Sequence, residues 1–95
     1  MQFEWDENKA ATNEAKHGVS FDDAIEVFSD PYAMEDIDVA HSTDDETRYT
    51  ITGLASPGLL FVLYTEPQTD VIRIIHVRRA EKWMVDRYEQ NKGRS

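Results

Sequence analysis

Cysteine is missing from this chain of 95 residues, and only four glycines and three prolines punctuate it. Without thiols, disulfides and thiolate metal sites are excluded, and a reducing compartment is compatible with the composition. No repeat, low-complexity tract or linker interrupts the pattern, so residues 1–95 read as one domain with one modest core. The longest apolar run, Leu59 to Tyr64, is far short of the ~20 residues a membrane helix needs. The opening Met1-Gln2-Phe3-Glu4-Trp5-Asp6 is acidic and lacks the basic-then-apolar build of a signal peptide. A cytoplasmic protein that does not touch membrane is expected.

Positive charge is scarce as well. Ten Lys and Arg stand against nineteen Asp and Glu, a net charge of −9. That balance argues against indiscriminate binding to nucleic acid, though not against a local site. What basic charge exists is gathered at one end: residues 73–95 carry a balance of +4, residues 1–72 one of −13. The arginines follow directly on the β-branched run Val71-Ile72-Arg73-Ile74-Ile75-His76-Val77. Such a strand would set guanidinium groups and an imidazole on a rigid support, and a local positive surface can hold a polyanion that the whole molecule repels.

Phe3-Glu4-Trp5 alternates as a short edge strand would. Asp6 is a natural N-cap for a helix over Glu7 to Lys16, with Gly18 as its C-terminal stop. Ser20 and Asp23 make a variant capping box for a second helix, Phe21 to Phe28, whose Phe21, Ala24, Ile25 and Phe28 form one apolar stripe; Asp30-Pro31 ends it. Tyr32 to Val39 reads as a weak strand before a polar loop. Arg48 to Leu54, Leu59 to Thr65 and Val71 to Val77 follow as three strands joined by turns at Ser56-Pro57-Gly58 and Glu66 to Asp70, an antiparallel meander. Ala80 to Gln90 closes the chain as a helix, with Trp83, Met84 and the stem of Arg87 turned inward. The expectation is an α+β fold: an antiparallel sheet, two N-terminal helices and one C-terminal helix, with the helices on one face.

In this order the chain contains Phe3-Glu4-Trp5-Asp6, Lys16-His17-Gly18-Val19-Ser20-Phe21 and Phe28-Ser29-Asp30-Pro31. Then come Glu46-Thr47-Arg48-Tyr49 leading to Gly53, Arg73-Ile74-Ile75 with Arg78-Arg79-Ala80, and Arg87-Tyr88-Glu89. With these words at this spacing, the sequence resembles the BrnT family of bacterial type II toxins. The resemblance implies a RelE/ParE-like fold and a metal-independent RNA endonuclease that inhibits translation, with no cofactor. It implies neutralisation by a BrnA-like ribbon-helix-helix antitoxin, in a complex compatible with a heterotetramer, and contact with DNA only indirectly, through that antitoxin. The chain departs from the family at His76, where a small residue, often Ser, is usual.

RNA cleavage without metal needs a base for the 2′-hydroxyl, an acid for the leaving 5′-oxygen and cations for the phosphorane. Imidazole serves either proton transfer near neutrality, and guanidinium grips phosphate oxygens. The resemblance therefore points to His17, Arg73, His76 and Arg78 as catalytic, and to Lys16, Arg48, Arg79 and Tyr88 as RNA-binding. Each has a plainer alternative. His17 with Lys16 also complements a helix C-terminus, and Arg73 also suits an ion pair with Glu46, Glu66 or another acid. Arg78 and Arg79 also suit helix entry or a partner, Arg48 with Glu46 makes a cross-strand pair, and Tyr88 suits the core as well as stacking on a base. Arg73 and His76 point to opposite faces of an uninterrupted strand, and share a site only if a bulge intervenes or the strand ends early. Asp36 to Glu46 is acidic enough to suggest metal, but lacks the glycine and spacing of a calcium loop and reads better as solvated. A catalytically silent relative that keeps antitoxin binding and operon regulation is the alternative function, and a generic α+β adaptor the weakest one.

Overall fold

Asp6 starts the first helix by accepting from the N–H groups of Asn8 and Lys9 at 2.8 and 3.0 Å. Two orphan donors of the first turn are thereby satisfied. The computed structural model describes residues 1–93; Arg94 of the basic tail lies outside them. Strand β1 spans Gln2–Glu4, helix α1 Glu7–His17 and helix α2 Phe21–Val27. Gly18, at φ 72°, closes α1 in the left-handed conformation that glycine adopts without cost. The Ser20–Asp23 capping box forms with both bonds at 3.0 Å. Strand β2 covers Met34–Ile37, followed by a short 3-10 turn at Val39–His41. Strands β3 (Arg48–Ala55), β4 (Gly58–Gln68) and β5 (Val71–Arg79) make the expected meander, and α3 runs over Lys82–Gly93.

The sheet order is β1-β5-β4-β3-β2, and one pairing corrects the expectation of a wholly antiparallel sheet. β1 lies parallel to β5, with Phe3 opposite Ile72 and Glu4 opposite Arg73, so the sheet is mixed. The N-terminal residues sit on one edge of the sheet, and α1 and α2 then carry the chain across to the other edge, where β2 pairs with β3. Phe3 is anchored edge-on against Phe28 at 5.2 Å, and Trp5 against Phe21 at 5.8 Å.

The helices also divide between the two faces, contrary to the single-face arrangement expected. Phe21, Ala24 and Val27 of α2 join Ile51, Val62, Ile74 and Val77 in the core. Gly53 is needed on this face because a Cβ there would meet Val27 Cγ1 at 2.8 Å and Ala33 Cβ at 3.0 Å. The opposite face presents Thr50, Thr52 and Phe61 to Trp83, Met84 and Arg87 of α3. Met84 is buried as expected, but Trp83 is 57% exposed, its indole N–H donating to Glu81 at 2.8 Å. The Arg87 head, too, stays at the surface, paired with Asp36 at 2.9 Å. No helix among the described residues is long and apolar enough to cross a membrane.

Candidate active site

β1 pairs with β5 only as far as Arg73, which leaves the outer edge of β5 open from Ile74 onward. Helix α1 covers that edge. The carboxamide of Asn13, 7% exposed, takes the part of a strand: its Nδ2 donates to the Val77 carbonyl at 2.8 Å and its Oδ1 accepts from Val77 N–H at 3.1 Å. Both buried backbone groups are thus satisfied without a neighbouring strand.

Opposite this contact, β5 holds one residue more than its partner. Tyr64 faces Ile74 and Leu63 faces His76, so Ile75 is an extra residue in the ladder. The bulge resolves the conflict in the sequence reading. Counting past the extra residue, Arg73 and His76 fall on the same face, where an uninterrupted strand would part them.

His76 is half-buried and touches His17, the last residue of α1, with ring centroids 4.9 Å apart and planes at 90°. Burial, then the nearby charges of His17, Arg78 and Lys16, push the His76 imidazole below its ordinary pKa. It is therefore a neutral base at physiological pH. The pair ends an open groove of about 380 Å³ that runs along α1, lined there by Asn8, Lys9, Thr12 and Lys16. A neutral imidazole beside a second imidazole and a lysine can take a proton from a hydroxyl and hold an anion nearby.

A family model described as "Ribonuclease toxin, BrnT, of type II toxin-antitoxin system" matches residues 5–83. The chain belongs to the BrnT toxin family. It is also similar in structure to the Brucella abortus ribonuclease toxin BrnT, known from a 1.1 Å crystal structure. The TM-score is 0.66 and the identity 27%, over 86% of this chain and 99% of that one. No curated protein matches the sequence.

The match to the BrnT family takes in α1, the bulge and the whole groove. Of the residues singled out in the sequence, the fold gathers His17, His76 and Lys16 into that groove, with Arg78 close enough to act on His76. The others lie apart. Arg73, although on the His76 face, is held by Glu4, its Nε donating at 2.6 Å. Arg48 pairs with Glu46 at 3.1 Å on β3, two strands from β5. Arg79 donates to the Pro57 carbonyl at 2.8 Å, beside the β3–β4 hairpin. Tyr88 is 2% exposed and donates its hydroxyl to Asp30, so its ring lies in the core, the plainer of the two alternatives.

The cations of the basic C-terminal surface are met by carboxylates. Arg73, Arg78, Lys82 and Arg87 each form an ion pair, with Glu4, Glu81, Asp86 and Asp36 respectively. Arg78 additionally lies 4.6 Å over the Phe61 ring. Among the described residues no three acids or histidines are grouped to hold a metal ion, and Asp38 of the acidic segment instead meets the His41 ring at 2.8 Å. Sequence reasoning missed Asn8, Lys9, Thr12 and Asn13. The signal available was their spacing with Lys16, which falls on one side of a helix.

Proposed function

We propose that this BrnT-family chain is a metal-independent RNA endonuclease whose active site is the His17–His76 pair. The observation that carries the reading is the contact of those two rings at the head of an open groove lined by an unpaired lysine, Lys16. His76, held neutral, takes the proton of a 2′-hydroxyl. The freed O2′ attacks phosphorus, the bond from phosphorus to the 5′-oxygen breaks, and a 2′,3′-cyclic phosphate forms. Touching rings leave no room for a phosphate between them, so His17 acts by steadying His76, and the departing 5′-oxygen takes its proton from water in the open groove. Lys16 brings positive charge to the phosphorane, and Arg78 adds its own once Glu81 releases it. Arg73 joins them only if Glu4 lets it go.

The wider biology belongs to the same reading: residues 1–95 form one toxin domain of RelE/ParE-like kinship that acts on cytoplasmic RNA and inhibits translation. A ribbon-helix-helix antitoxin neutralises it, with DNA reached only through that partner. A second reading, a silent homologue that binds antitoxin and regulates its operon, draws on the arginines held in ion pairs and on the acidic body. The two part on one experiment. Purified protein in chelator is given RNA, and the ends are analysed. The nuclease reading expects 2′,3′-cyclic phosphate ends, and their loss in His76→Ala. Antitoxin binding with no cleavage would instead favour the silent homologue, and cleavage only on adding divalent metal would remove the mechanism.

A further inference from the structure

The cations of this chain are almost all spoken for. Arg48, Arg73, Arg78, Lys82 and Arg87 sit in ion pairs, Arg79 on a carbonyl, and Lys92 lies 5.8 Å from the Tyr32 ring centroid. Among the described residues, Lys9 and Lys16 alone of the Lys and Arg side chains have no carboxylate, carbonyl or ring against them, and both line the α1 groove. In an acidic molecule, two unneutralised ammonium groups on one groove mark where its surface accepts an anion.

Their spacing fits a strand rather than a single phosphate. Lys9 and Lys16 are seven residues apart on α1, about 10.5 Å along the axis. At roughly 3.4 Å of advance per stacked nucleotide, that is about three nucleotides. The same groove offers Thr12 between them and Asn8 just beyond Lys9, one helical turn apart and both exposed. An amide and a hydroxyl so placed can donate to and accept from a base edge or a ribose.

We infer that the outer part of this groove is a second subsite for single-stranded RNA, in which Lys9 holds a phosphate away from the scissile one and Thr12 and Asn8 contact the nucleotides on either side of it. The inference rests on the nuclease reading and extends it along α1. The strand must be single because internal attack needs O2′ in line with the leaving oxygen, a geometry that stacked A-form helix does not allow. It must also lie along α1, since the His pair sits at the C-terminal end of that helix.

The test uses the full chain and a fluorescein-labelled 2′-O-methyl hexanucleotide of uridine, which cannot be cut. Lys9→Gln, with its side chain exposed, should leave the thermal melt unchanged. It should weaken hexanucleotide binding several-fold and flatten the dependence of log K on log salt by about 0.7, one phosphate contact on a single strand. Thr12→Val should weaken binding without altering the salt slope. Cleavage of the dinucleotide UpU, too short to reach Lys9, should be unaffected in Lys9→Gln. Equal affinity and slope in wild type and Lys9→Gln, or no hexanucleotide binding by wild type, overturns the subsite. If the subsite fails while RNA is cut in a His76-dependent way, the nuclease reading stands alone. If Lys9-dependent binding is found without cleavage, the nuclease reading fails instead, and the α1 track is an RNA-binding surface.

Discussion

The hydroxyl of Tyr88 donates to Asp30 Oδ2 at 2.6 Å, which joins the last helix to the turn after α2. The same oxygen accepts from Leu54 N–H at 2.7 Å, and Oδ1 accepts from Tyr32 N–H at 2.9 Å. Burial raises the Asp30 pKa, but these bonds and the charge of Lys92 outweigh it and hold the carboxyl below its ordinary value. One carboxylate thus fastens α3 and β3 to the end of α2.

Tyr88→Phe removes a hydrogen bond to a charged acceptor inside the protein, and should cost about 1.5–3 kcal/mol. For a domain of this size the melting temperature should fall by roughly 6–24 °C. The sign with pH follows from the lowered pKa. The Asp30 contribution is complete above its unfolded pKa of 3.8 and is lost as pH falls through the lower folded value. Urea melts as a function of pH should therefore show a shallower acid limb in Tyr88→Phe. Cleavage per folded molecule should match wild type; a large fall would return Tyr88 to the RNA site.

His76 gives a second prediction, on activity. Its imidazole is lowered by burial first and then by the like charges of His17, Arg78 and Lys16. The acid limb of kcat/KM should accordingly lie below the ordinary histidine value of about 6.5. Removing one like charge with Arg78→Ala should move that limb upward. His76→Ser removes the imidazole and should lower kcat by roughly 10²–10⁴-fold if His76 is the base. Full activity in that variant would sink the assignment. Stability follows pH in the same direction as for Asp30, since both pKa values are lowered: the His76 contribution is complete above about 6.5 and is lost as pH falls through the lower folded value.

Much of the fold was legible because local signals settle local structure. Asp6, Gly18 and the Ser20–Asp23 box fixed the first two helices to within a residue, and Ser56-Pro57-Gly58 placed the hairpin. The parallel pairing of β1 was not legible, since three alternating residues carry no record of their neighbour. Nor could the bulge be placed at Ile75, for the run from Val71 to Val77 is apolar on both faces apart from Arg73 and His76, and those two only made a bulge one of the conditions for a shared site. The site suffered most from this. The basic tail promised a cationic surface, yet its carboxylate partners Glu4 and Asp36 lie 69 and 51 residues away in the chain. Pairings at that separation are invisible to composition.

The Arg73–Glu4 pair yields a third prediction. Its members are half exposed and pair between the adjacent strands β1 and β5. Such surface pairs contribute about 0–1 kcal/mol, so Glu4→Gln should leave stability nearly unchanged. It frees a guanidinium on the His76 face and removes one negative charge near it. RNA affinity should rise several-fold at low salt and the difference should shrink as salt screens it. Filter binding across a salt series measures this. Unchanged affinity at low salt would place Arg73 outside the path of the RNA.

Asn13 offers the strictest separation of fold from chemistry. Asn13→Ala leaves the N–H and carbonyl of Val77 without partners at a buried edge, at a cost of about 1–3 kcal/mol for each group that water cannot reach. Water can enter from the groove that Asn13 itself lines, so the lower part of that range is the expectation. Asn13→Asp should be worse than alanine, because a carboxylate would face the Val77 carbonyl where a donor is required. The larger consequence is positional. Val77 adjoins His76 on the bulged stretch, and loosening it lets His76 turn away from His17. Among molecules that remain folded, kcat should drop while KM for RNA stays near wild type, since Lys9 and Lys16 are untouched. Histidine ring resonances followed by NMR should show His76 returning towards an ordinary pKa. A variant that lost stability but kept both kcat and the depressed His76 titration would show that Asn13 only seals the sheet edge.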